Sequence, residues 1–166
     1  MATTVLQAAR LAMISIALAT TVLASDSDVQ TRYSITIART QERLFPNPNV
    51  LGSECGTAKR IYACTVFAEE RLSCSCRHDG NGWRLVANAR FVPIMCLYLR
   101  HPRIVGHEQL HINDVRRMLD EYLDELTSRD LATEEGCAQL AKQESEERAF
   151  VRRMNGFRQK SNERLH

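Results

Sequence analysis

His107, Glu108 and His111 fall in the run "HEQLH", at a spacing that suits metal chemistry. The two histidines are four residues apart, so on a helix they stand one turn from each other on one face, where two imidazole nitrogens can bind one ion. Glu108 adjoins the first of them. It is then placed to take a proton from a zinc-bound water whose pKa the ion lowers to about 7, giving hydroxide beside a polarised carbonyl. These are the parts of a zinc peptidase half-site, with Zn2+ as cofactor, His107 and His111 as ligands, Glu108 as general base and a peptide or protein as substrate. The plain alternative is two histidines on a helix flank, one solvated and one bonded to the core.

Catalytic zinc keeps three protein ligands and one water. Asp114 lies one further turn along the same face, but three ligands in series on a straight helix point outward in a row and do not converge. The search for a third ligand therefore moves to a later helix, where Glu144 falls inside the apolar stripe and Glu147 lies at its edge. A charged helix surface, with Glu144 paired to Arg148, explains both equally well. Tyr122 and His101 are conceivable helpers for an oxyanion.

The elements that must hold these residues can be read from period and punctuation. After Pro102, which suits a first helical turn, Ile112, Val115, Leu119, Tyr122 and Leu126 recur at three and four residues. A break at "TSRDLA" leads to Thr133 as N-cap, followed by Glu134 and Glu135 and a second helix to about Gln159 or beyond, with Cys137, Leu140, Ala141, Val151 and Met154 on one side. Residues 31–99 carry a strand signature instead. "RYSITIAR" alternates, "RIYACTVFA" is β-branched and aromatic, and "RLSCSCRH" meets the hairpin turn "DGNG" before "WRLVANARFVPIMCLYL". The segment "LFPNPNVLGSECGT" reads as a long loop, and Pro93 as a break or an edge. A small antiparallel sheet followed by two long helices makes an α+β domain of zincin-like, disulfide-stabilised architecture.

The chain opens with Arg10 and an apolar run from Leu11 to Ala24, then "SDSD". That pattern predicts a signal peptide, residues 1–24, cleaved after Ala24, and one domain over residues 25–166, secreted or periplasmic. Lys and Arg total 22 against 20 acidic residues, so neither a nucleic acid nor a membrane surface is implied as partner. All six cysteines, Cys55, Cys64, Cys74, Cys76, Cys96 and Cys137, follow the leader and are disulfide candidates. The other reading of "CSCRH" is a metal site of Cys74, Cys76 and His78 on one strand face.

With "HEQLHIND" set between a β-rich half and two helices, the chain resembles a family of secreted zinc-dependent proteases from bacteria, catalogued as a domain of unknown function, whose members carry an H-E-Q-x-H helix after a small sheet. The motif match is His107, Glu108, Gln109 and His111. The resemblance implies zinc binding more than proteolysis, and it adds His166 as a third-ligand candidate. The tail "NGFRQKSNERLH" lacks the Tyr-Asp and the Gly of the family pattern.

Two other classes stay open. One is a non-catalytic secreted or envelope-associated binding module with a structural metal or none. The other is a cysteine-based redox protein, against which "CSC" is not C-x-x-C and follows no βαβ pattern.

Overall fold

The computed structural model describes residues 32–57 and 60–165. In chain order the elements are β1 (Tyr33–Ile37), β2 (Gln41–Leu44), α1 (Pro48–Glu54), β3 (Ala63–His78), β4 (Trp83–Leu97), α2 (Pro102–Thr127), α3 (Glu134–Glu144) and α4 (Glu147–Leu165). The fold is α+β, with a small sheet in the N-terminal half followed by helices. The 1–24 leader and His166 lie outside the described residues. Among those described, no helix is long and apolar enough to cross a membrane.

The sheet is mixed rather than purely antiparallel. The "DGNG" turn, with Gly80 at φ +91°, folds β3 back on β4, and Asp79 Oδ1 accepts from the Asn81 and Gly82 N–H groups. Along the other edge of β4 run β1 and then β2, both parallel to it. Pro93 neither breaks β4 nor puts it at an edge. The Phe91 carbonyl accepts from Ala38 N–H, so by the two-residue alternation Pro93 nitrogen faces the same side, at the gap where β1 hands over to β2. No ladder hydrogen bond is lost there.

Leu85, Ala87, Ala89 and Phe91 of β4 face the helices and pack with Val115, Leu119, Leu123, Leu126, Cys137, Phe150 and Met154. Beyond Phe91 both faces of β4 are covered. Met95 and Leu97 meet Ile112 of α2, while Ile94 and Cys96 meet Leu51 of α1. That double burial explains the unbroken apolar run "FVPIMCLYL".

The segment expected as one long loop contains α1, started by Asn47, whose side chain accepts from the Asn49 and Val50 N–H groups, and by Pro48. Thr133 caps α3 as expected, accepting from Gly136 N–H at 3.1 Å. The expected second helix is divided at Ser145 and Glu146 into α3 and α4. Ser145 Oγ accepts from Cys74 N–H at 2.8 Å, which ties the break to β3.

Two disulfides form, Cys55–Cys64 and Cys76–Cys137, and they fit an oxidising compartment. Cys74 and Cys96 are free thiols, so two of the six disulfide candidates are not bridged. Cys96 stands across the ladder from Cys64, but Cys64 is already joined to Cys55. Burial pushes both free thiols up from their ordinary range, which makes them poor nucleophiles.

Candidate metal centre

α2 sets the register of the site. Pro102 occupies its first turn, and the His101 ring caps it, Nδ1 accepting from Arg103 N–H at 3.2 Å. His101 is therefore an N-cap rather than an oxyanion helper. With the start fixed, Ile112, Val115 and Leu119 turn inward, and the next positions around the helix bring Glu108 and His111 to its buried flank, each only 4% exposed.

His107 and His111 meet edge to face, with ring centroids 4.8 Å apart and Nε2 atoms 3.2 Å apart. Two imidazole nitrogens held about 2.05 Å from one tetrahedral zinc stand about 3.3 Å apart, so the pair already has the spacing the ion requires. Glu108 completes the group. Ligand atoms of the three residues all lie within 4.8 Å of one another, and this is the one such group of His, Cys, Asp or Glu among the described residues.

Two other elements hold the group in place. From β3, Thr65 Oγ1 donates to Glu108 Oε2 at 2.7 Å. From α4, Ser161, fully buried, lies 2.9 Å from His111 Nδ1. In the tautomer with its proton on Nδ1, His111 donates to Ser161 and leaves a lone pair on Nε2 facing His107. A metal-binding histidine needs that arrangement, its far nitrogen fixed by a hydrogen bond. Behind Ser161 stands Asp114, paired with Arg117 at 3.0 Å and Arg164 at 2.8 Å. Burial alone would raise the Asp114 carboxyl, but hydrogen bonds from Arg117 and Ser161 and the Arg164 charge outweigh it and hold the group below its ordinary value. Asp114 thus supports the site from behind and is no ligand.

Ser161→Ala removes the acceptor of His111 Nδ1 while leaving both histidines. Zinc affinity, measured by competition with a chelator, is expected to fall about 10- to 100-fold. Unchanged affinity would show that the ring is oriented without Ser161.

The other predicted residues among those described, Glu144, Glu147 and Tyr122, are not part of the group. Glu144 accepts from Tyr122 Oη and, at 3.2 Å, from Arg153. Arg153 also stacks 4.0 Å over the Tyr122 ring. This cluster pins α2, α3 and α4 together, and Tyr122 lies about 16 Å along α2 from His111, at 1.5 Å per residue, too far to serve an oxyanion there. Burial first, and the bond to Glu144 second, push the Tyr122 phenol far above its ordinary range. Glu147 lines a separate hollow with Arg71 and Ser145. The Cys74, Cys76 and His78 metal site does not form, because Cys76 is bridged to Cys137 and His78 Nδ1 accepts from Gly80 N–H at 3.2 Å.

Glu108 and His111 line a cleft of about 340 Å³, walled by β3, α4 and the segment after α1. No family model, curated protein or solved structure matches the chain. What the site does must therefore be argued from its own chemistry, since the fold alone would not decide it. Sequence reasoning reached His107, Glu108 and His111 and missed Thr65 and Ser161. Thr65 left a faint trace as a polar residue inside the apolar run "YACTVFA"; Ser161, in "RQKSNERL", left none.

Proposed function

We propose that the chain is a zinc-dependent hydrolase of peptide bonds, exported to an oxidising compartment. The observation that carries this reading is the 3.2 Å approach of the His107 and His111 Nε2 atoms beside Glu108, with Glu108 and His111 lining a cleft. His107 and His111 would hold the ion. Bound there, zinc supplies a Lewis acid for the scissile carbonyl and a water acidic enough to lose a proton near neutral pH. Glu108 takes the proton of the attacking water and passes it to the leaving nitrogen, so that water's oxygen ends on the acyl carbon and the C–N bond breaks with a neutral amine. Thr65, donating to one carboxylate oxygen, holds Glu108 against β3 beside the histidine pair. His166, adjoining the described end of α4, stays the candidate for a third ligand.

One observation favours a second reading. Glu108 is buried and hydrogen-bonded, the condition of a carboxylate that serves as a ligand itself in a closed, structural site. The chain would then be a binding module that uses the ion only to fix α2.

Elemental analysis of the oxidised protein tests the common premise. About one zinc per chain is expected, absent from the His107→Ala/His111→Ala variant. No zinc in either protein, after reconstitution, would reduce the pair to two histidines on a helix flank.

A further inference from the structure

An arginine lines the cleft beside Glu108 and His111. Arg158, half-buried on α4, lines it together with Glu108 and His111, and Asn162, one turn on, lines it too. Asn162 follows Ser161 and Arg158 lies three residues before it, so the helix turn that orients His111 also brings an arginine and an asparagine to the same cavity. Ile61 and Ala63 give the cavity an apolar wall. Glu70, in the β3 bulge between Ala68 and Arg71, feels the Arg158 charge. Burial pushes Glu70 up to about 7, with Arg158 pulling the other way.

We propose that Arg158 and Asn162 form a carboxylate subsite next to the triad, and that the ligand is the free C-terminal end of a peptide. This rests on the hydrolase reading for its substrate class, although the binding itself does not require hydrolysis. Arg158 presents the planar fork that pairs with both oxygens of a carboxylate, and Asn162 can donate to the same group. The terminal carboxylate then sits on Arg158 and Asn162 at the α4 side, while the neutral amide bond before it faces Glu108 and His111 of α2. A volume of about 340 Å³ is near the lower limit for small-ligand sites and suits a short chain end rather than an extended internal segment. An apolar C-terminal side chain would lie on Ile61 and Ala63. The subsite makes the protein a trimmer of chain ends.

The test compares binding of N-acetylated dipeptide mixtures, as free acids and as C-terminal amides, to the full oxidised chain with and without zinc. Free acids are expected to bind about 10- to 100-fold more tightly than amides, the worth of a charge-assisted fork. Arg158→Ala should abolish that preference with zinc content and urea midpoint retained, and Arg158→Lys should keep part of it. Equal binding of acids and amides, or no binding of either, overturns the proposal. So does an acid preference that needs zinc and survives Arg158→Ala, which would place the carboxylate on the ion. The two readings fail separately. Hydrolysis of acids and amides at equal rates would keep the hydrolase and remove the subsite, whereas an Arg158-dependent preference without hydrolysis would keep the subsite and remove the hydrolase.

Discussion

Glu108→Gln is expected to retain zinc and to lower peptide hydrolysis about 10²- to 10⁴-fold, the usual contribution of a positioned general base. The substitution keeps the shape of the side chain, and the amide oxygen can still accept from Thr65, so the contact between α2 and β3 survives. What disappears is the group that accepts a proton. The loss should fall on kcat with KM little changed, because Glu108 acts on the reacting water and not on the resting substrate. Metal analysis of the same sample separates the two readings of this residue. If zinc leaves together with activity, Glu108 is a ligand and the closed structural site is the better account. If zinc and activity both persist, Glu108 has no part in the chemistry. Thr65→Ala would behave differently from either, keeping the carboxyl group but removing the hydrogen bond that holds its Oε2.

The helix part of the site was legible because its information is local. "HEQLH" fixes a one-turn spacing, Pro102 fixes where the turn begins, and Ile112, Val115 and Leu119 fix which flank is buried. Those signals lie within twenty residues of one another and agree. Thr65 and Ser161 are another matter. They stand 43 residues before Glu108 and 50 after His111, and they reach the site only because β3 and α4 both pack against α2. No period in the sequence encodes that meeting.

The same distinction accounts for what differed in the fold. The "DGNG" hairpin and the Thr133 cap are short-range and came out as expected. The parallel placement of β1 and β2 along β4, which gives Pro93 its place, depends on a chain reversal through α1. The break between α3 and α4 has no Gly or Pro to announce it; it depends on Ser145 being held by the Cys74 amide of a distant strand. Cysteine count likewise gave an oxidised protein but could not reveal that Cys96, opposite Cys64, stays a thiol while Cys55 takes the bond. Glu144 misled for a physical reason. A carboxylate inside an apolar stripe does need a partner, and it found Tyr122 and Arg153 in place of an ion.

The larger stability effect is expected at Cys76–Cys137. This bridge joins β3 to α3 across a sequence separation of 61 residues, so the closed loop contains β4 and all of α2 with the triad. Cys55–Cys64 spans only 9. Loop-closure entropy in the unfolded chain then gives about 4 kcal/mol for the long loop and about 3 kcal/mol for the short one. Cys76→Ala/Cys137→Ala should therefore lower the urea midpoint more than Cys55→Ala/Cys64→Ala, at similar slopes. Burial reinforces the order, since Cys137 is fully buried among Leu85, Leu126 and Phe150, whereas Cys55 lines the cleft. The functional consequences should run the other way. Without Cys76–Cys137 the triad, which keeps its hydrogen bonds to Thr65 and Ser161, should still bind zinc in whatever fraction is folded. Without Cys55–Cys64 the segment after α1 loses its tie to β3 at the cleft wall, and ligand affinity should fall although most stability remains. Equal stability losses for the two pairs would show that the long loop is already constrained in the unfolded chain, and unchanged ligand affinity in Cys55→Ala/Cys64→Ala would show that the cleft wall stands without its bridge.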